Sequence, residues 1–238
     1  MSNRTTLIAA LVVAALAVGA TGVGVAYFVV FAGSSPQKLA LSSPTPSPSG
    51  SATASTVGAG TWTVSSGSVA GYRVREQLAS LAAPSDAVGR TSAITGTLTL
   101  TQAASGYTVA ASGFTVDVSK LTSDQSRRDQ RIHSQGLESD RYPTATFKLT
   151  SPIALSADAT SGQKIHVSAT GDLTIHGVTK SVTIPIDARL TGSKIELVGS
   201  ITFPFSQFGM TPPSIGGFVT VQSNATMEFQ LLMMQQGA

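Results

Sequence analysis

Strict alternation of apolar and polar residues, sustained over runs of about a dozen positions, narrows what this chain can become more than any other feature. Along 164–176, Ile165, Val167, Ala169, Gly171, Leu173 and Ile175 share one parity, and Lys164, His166, Ser168, Thr170, Asp172, Thr174 and His176 share the other. Side chains of an extended strand point alternately to opposite faces, so a period of two sorts the sequence into an inner and an outer surface. The pattern returns in Val182, Ile184, Ile186, Ala188 and Leu190, and again in Ile195, Leu197, Gly199, Ile201, Phe203 and Phe205. Ile94, Gly96, Leu98 and Leu100 repeat it, as do Phe147, Leu149, Ile153 and Leu155, and the run from Val219 through Met227 and Phe229 to Leu231. With the stretches at 61–64, 69–78 and 106–118, the pattern predicts eight or nine antiparallel strands, several about 40 Å long. One charged stretch, Ser123 to Leu137, interrupts them and reads as a short helix or an ordered crossover loop.

Long strands with one apolar face must hide that face, which calls for a closed barrel or a two-sheet sandwich. An eight-stranded barrel has an interior that side chains can fill or that holds one ligand. The inner parity mixes bulky residues with Gly96, Ala169, Gly171, Ala188, Gly199 and Ala225. Their missing volume must be taken up by larger neighbours, by closer backbones or by a guest. Aromatic residues are only 6% of the chain. A dry, elongated apolar tunnel would suit a hydrocarbon tail better than a polar metabolite. A solid core of alternating large and small residues satisfies the same periodicity, and periodicity alone leaves both open.

Ahead of the strands lies a different texture. Residues 7–32 carry no charge and no proline. As a helix they would reach about 39 Å, enough to cross a bilayer core of roughly 30 Å with some tilt. The expectation is an uncleaved N-terminal membrane anchor, residues 1–33, with the rest of the chain extracytoplasmic. The alternative is a signal peptide removed after export, against which the length of the apolar run speaks. Residues 34–58 combine proline with serine and threonine, lack aromatics and predict a disordered tether. The remainder, 59–238, is one folded domain of ordinary size.

Composition excludes several classes of function. Charged residues are 11% of the chain and the formal net charge is +3, with basic residues scattered except at Arg127, Arg128 and Arg131, so a nucleic-acid footprint is missing. There is no cysteine, hence no disulfide framework, no thiolate metal site and no thiol nucleophile. The three histidines, His133, His166 and His176, show no metal-ligand spacing, and His166 and His176 would sit about 33 Å apart on an extended chain. No nucleophile elbow or phosphate loop occurs outside the apolar N-terminal run. Asp117, Asp124, Asp129, Glu138 and Asp140 gather near the arginines of the crossover, where a salt-bridge network pinning the loop over a barrel end explains them better than paired catalytic carboxylates.

One segment is specific. Gly171 to Pro185, GDLTIHGVTKSVTIP, resembles the signature of the YceI-like family, also described as lipid- or polyisoprenoid-binding. Further strings agree in order: Gly60-x-Trp62-x-Val64, the Gly89 to Leu98 stretch, Arg128-Asp129, Tyr142-Pro143-Thr144-Ala145-Thr146-Phe147, and FPFSQFGM at Phe203 to Met210. Where the family often has two histidines early in the domain, this chain has Gly67-Ser68-Val69-Ala70-Gly71-Tyr72-Arg73-Val74-Arg75-Glu76, and Gly136-Leu137 replaces paired aromatics in the crossover.

The resemblance implies an all-β fold: an extended eight-stranded antiparallel lipocalin-like barrel with a long polyprenyl-type lipid in its bore. The expected function is extracytoplasmic binding of a long-chain isoprenoid or similar lipid, as carrier or reservoir, without catalysis, cofactor or metal. The alternative is an envelope structural or interaction protein that works through its outer face. Candidate ligand-binding residues near the start and middle of the domain are Tyr72, Val74, Leu98, Phe147, Leu149 and Ile165. From the later strands come Leu173, Ile184, Ile186, Ile201, Phe203 and Phe229.

Overall fold

The computed structural model describes residues 35–43, 58–78, 84–191, 193–213 and 219–236. The chain divides into Met1–Pro36 and Gln37–Ala238, and of the first unit only Ser35 and Pro36 are described. The expected anchor at 7–32 and spacer residues 44–57 lie outside the described residues. Among the described residues, no helix is long and apolar enough to cross a membrane.

Alternation produces strands where it was read. In chain order they are β1 (Gly60–Val64), β2 (Val69–Leu78), β3 (Ser85–Thr91), β4 (Ile94–Ala103), β5 (Gly106–Asp117), β6 (Thr144–Leu149), β7 (Ile153–Ser156), β8 (Ile165–Ile175), β9 (Val178–Thr191), β10 (Lys194–Pro204) and β11 (Val219–Gln235). All pairings are antiparallel, and β1 pairs with both β4 and β11, which closes a ring of eight: β1, β4, β5, β6, β8, β9, β10, β11. The other three segments extend this ring. β2 continues β1 along the β11 edge, because Val64 sits opposite Met233 and Val69 opposite Gln230. β3 continues β4 in the same way, pairing with β2 as β4 pairs with β1. β7 continues β6 along β5 after a break at 150–152. Between β1 and β2 the chain kinks at Ser65–Ser68, where Gly67 adopts φ 88° and the buried Ser68 hydroxyl donates to the Ser65 carbonyl at 2.8 Å.

The Gly171–Pro185 signature has a structural explanation at each end. His176 and Gly177, at φ 54° and 72°, form a two-residue turn of the hand that fits strand twist and join β8 to β9. Tyr142 closes over this turn, its ring centroid 4.5 Å from that of His176, and a Cβ on Gly177 would come within 2.8 Å of the Tyr142 ring. At the far end, Pro185 lacks the N–H that a central strand must supply. The β9–β10 ladder accordingly stops at Ile186 opposite Gly199; beyond it, 178–185 pairs only with β8 and 200–204 only with β11. A 3-10 turn at Phe205–Phe208, ended by Gly209 in the left-handed conformation, packs into the core beside this gap. Phe208 is fully buried and edge-on to Phe203. The FPFSQFGM segment is therefore a plug for an unpaired seam.

The crossover between β5 and β6 closes the same barrel end. It holds a 3-10 turn (Val118–Lys120), helix α1 (Ser126–Arg131) and a π-helical turn (Ile132–Gly136). The acidic residues read as a network divide their tasks: Asp117 caps the first turn through the Ser119 amide, and Asp129 accepts from the Ser123 amide at 3.0 Å and its hydroxyl at 2.6 Å. Arg128 reaches back to Glu76 of β2 at 2.6 Å, tying α1 to the wall.

Candidate functional site: a hollow bore

The inner parity encloses space. Two apolar cavities lie inside the barrel, one of about 440 Å³ at the crossover end and one of about 140 Å³ towards the β4–β5 and β9–β10 hairpins. Met227, Phe229, Ile186, Phe147 and Leu149 point inward yet are only half-buried, because they face a void. On the outer parity the order inverts: Glu228, Arg73 and Glu196 are buried. Engineered apolar cavities of about 150 Å³ stay dry and take up benzene, so these two chambers have the size and wall chemistry for a hydrocarbon guest.

Glycines keep the centre open, by an arrangement the sequence does not display. Phe229 sits opposite Gly199, Phe114 opposite Gly96 and Tyr72 opposite Gly89, each across one strand pair. Phe147 lies diagonally beside Gly171. A Cβ built on these glycines would approach the facing ring to 2.5, 2.5, 2.3 and 2.5 Å respectively. Each ring therefore lies against the wall, in the space its glycine vacates, rather than across the bore. The missing side-chain volume is filled by neighbouring aromatics, and the void is what those rings no longer occupy.

The candidate binding residues divide between the chambers. Leu98, Phe147, Leu149 and Ile165 line the smaller one, with Leu173, Ile184, Ile186 and Phe229. Tyr72, Val74 and Phe203 line the larger one. Ile201 packs against the core at the crossover end without lining either, since its strand lies along the seam past Pro185. The larger chamber has one feature that reading by parity missed. Glu76 continues the inward row of Tyr72 and Val74 and ends at the mouth, where Arg128 neutralises it. Arg127 and Arg131, one helical turn apart on α1, also border this mouth and have no ion-pair partner among the described residues. Burial pushes the Tyr72 phenol well above its usual value, so it stays protonated at any physiological pH. Its hydroxyl comes near Ser123 without meeting hydrogen-bond geometry and has no partner among the described residues. It is a spare donor at the wall of a greasy chamber.

Outside the bore, a charged row crosses β2, β3, β9, β10 and β11. Glu228 accepts from Arg90 at 2.9 Å and lies 3.5 Å from Arg73, which also pairs with Asp86 at 3.1 Å. Glu196 pairs with Arg189 at 3.0 Å and accepts from Gln230 at 2.7 Å. The start of the expected tether lies across this row. Arg90 donates to the Gln37 carbonyl and Arg189 to that of Ser42, while the Ser42 amide and hydroxyl donate to Glu196 at 2.8 and 2.9 Å. Residues 37–42 thus form a strap on the barrel. Burial works against the Glu196 charge, but the hydrogen bonds from Ser42, Gln230 and Arg189 outweigh it and hold its carboxyl below the usual range.

The histidines are dispersed: His133 contacts Ser139, His166 contacts Asp187, and His176 lies 3.4 Å from Glu138. Among the described residues, no three potential ligands converge on a metal position.

Comparison with known proteins adds to this geometry. The model of the YceI-like domain family matches residues 62–233. Among solved structures, a polyisoprenoid binding domain from Saccharophagus degradans, implicated in plant cell wall breakdown, is 12% identical, covers 75% of this chain and 100% of its own, and superposes with a TM-score of 0.54. BcnA of Burkholderia cenocepacia is 19% identical, with 68% and 95% covered and a TM-score of 0.49. A mutant YceI protein of Campylobacter jejuni is 14% identical, with 63% and 85% covered and a TM-score of 0.47. No curated protein matches the sequence. At these identities the first structure supports a shared fold and nothing finer.

Proposed function

We propose, from the premise that the chain belongs to the YceI-like domain family, that its barrel binds a long-chain apolar lipid of the polyisoprenoid type in its bore and acts as carrier or reservoir. The observation that carries this reading is the hollow interior, with half-buried inward apolar side chains around two adjoining voids. The description of the Saccharophagus relative as polyisoprenoid-binding supports it. Binding comes from burying tail surface: about 400 Å² at about 25 cal/mol per Å² contributes roughly 10 kcal/mol before ordering costs. The polar end of the guest lies at the crossover mouth, where Tyr72 offers a hydrogen-bond donor and Arg127 and Arg131 offer positive charge.

The chain works as a binding module rather than an enzyme. Glu76, the carboxylate at the bore, is held by Arg128 in a structural ion pair. Residues 7–32 anchor the protein in a membrane with the barrel on the extracytoplasmic side, a placement that rests on their length and lack of charge and proline. Native mass spectrometry and organic extraction of the full-length protein test the function. A bound mass that releases an extractable prenyl or similar lipid is expected; an apo mass with no lipid, and no uptake of added prenol, would refute the reading.

A further inference from the structure

The two chambers share four lining residues: Ala70, Val116, Ala145 and Met227. Val116 and Ala145 face each other across β5 and β6. Ala70 and Met227 are diagonal neighbours on β2 and β11, the pairs there being Ala70 with Phe229 and Tyr72 with Met227. These two pairs stand on different walls of the eight-membered ring, separated on one side by the β3–β4 strand and on the other by β8, β9 and β10. These four residues therefore mark the level at which the two chambers meet, and the largest of them is a methionine. An unbranched side chain with three rotatable bonds is the residue type best able to move aside for a guest and close behind nothing.

We infer that Met227 and its three neighbours form a waist through which the tail threads, so that the protein gains affinity with tail length up to about 20–25 carbons, four or five isoprene units, and not beyond. The inference rests on the proposed lipid-binding function and specifies its substrate. The capacity follows from the volumes. With about six carbons in a cavity of about 150 Å³, the larger chamber of about 440 Å³ takes on the order of 18 carbons. The smaller chamber, about 140 Å³, takes on the order of six more, and a tail that enters from the crossover mouth reaches it past Met227. Carbons beyond that remain at the mouth, among Gln125, Arg127 and Arg131, where they bury little surface.

The test is a ladder of linear prenols with 10, 15, 20, 25 and 40 carbons, titrated against the full-length protein, its Met227→Ala and Met227→Trp variants, and Ala145→Leu as a second narrowing substitution. At about fourfold per buried methylene, affinity rises on the order of a thousandfold per five-carbon unit before ordering costs while the tail stays inside, then levels off after 25 carbons. Met227→Trp or Ala145→Leu moves the plateau down to about 15–20 carbons. Met227→Ala keeps the plateau but speeds loading of the 20- and 25-carbon prenols. An affinity that climbs undiminished from 25 to 40 carbons, or a length profile unmoved by the folded narrowing variants, overturns the waist alone. Failure of every prenol to bind overturns the lipid reading and the waist with it.

Discussion

Adding one methyl group at Gly199 should disable the smaller chamber. The Cβ of Gly199→Ala would stand 2.5 Å from Cζ of Phe229 and 3.0 Å from the Pro185 carbonyl oxygen. Backbone on one side and ring on the other leave a single outlet: Phe229 must swing off the wall by about 1 Å or more, into the cavity it now borders. Such overpacking costs about 1–3 kcal/mol, partly offset by the roughly 0.5–1 kcal/mol that alanine gains over glycine in a strand. The net loss of about 1 kcal/mol lowers Tm by about 2–4 °C, so the variant stays folded. Binding suffers more. A ring that takes half of a chamber of about 140 Å³ displaces about three methylenes of a guest that fills both chambers, or about 2.4 kcal/mol, a roughly 60-fold loss of affinity for a 25-carbon prenol. Gly113→Ala is the matched control: its Cβ would meet only the Phe147 carbonyl oxygen, at an ordinary 3.9 Å. Thermal melts and prenol titrations of both variants settle the matter. A folded Gly199→Ala protein with wild-type affinity, or equal weakening by both substitutions, refutes the account of how the bore is kept open.

Other perturbations follow from contacts already described. Arg128→Ala strands the buried Glu76 carboxylate and should cost about 3 kcal/mol, lowering Tm by about 10 °C, whereas Glu76→Leu with Arg128→Met recovers most of it; equal melts for the single and double variants would argue against a buried pair. Tyr72→Phe removes a buried hydroxyl that has no partner among the described residues, so Tm should hold or rise while discrimination in favour of ligands with a hydrogen-bond acceptor at the head falls; unchanged head-group preference would exclude the phenol from that role. The strap should be acid-labile. The Glu196 carboxyl titrates below its unfolded value of about 4.5, so its stabilisation is complete above that pH and is lost as pH falls through the lower, folded value. Hydrogen exchange at 37–42 should be slow at neutral pH and accelerate only below about pH 4.5; acceleration near neutrality would contradict this.

Much of the architecture was legible because parity is a local property. Val182 through Leu190 and Ile195 through Phe203 sorted into inner and outer faces without reference to anything distant, and the strands formed where they were read. What stayed hidden depends on register between strands. Whether Gly199 leaves a hole or a berth for a ring is decided by Phe229 landing opposite it, about 30 positions along the chain. β3 carries Asp86, Gly89 and Arg90 and lacks clean alternation; it is a strand because β2 offers it an edge. Glu76 could have been found by extending the Tyr72, Val74 parity by one step, but its neutralising partner Arg128 lies 52 residues away. The burial of the outer-parity charges Glu196 and Glu228 was not legible, because a segment with no periodicity of its own, Gln37 to Ser42, lies across them.

Pro185 leaves the wall of this cylinder unequally strong. Between β8 and β9 or between β10 and β11, prying neighbouring strands apart means breaking a long ladder of backbone bonds; between 178–185 and 200–204 it means lifting a few side chains around Phe208. Separation along that line would open a lengthwise slit beside the roomier half of the interior. A greasy cargo embedded in a bilayer would then enter broadside, sliding from one oily medium to another without first standing on end in water.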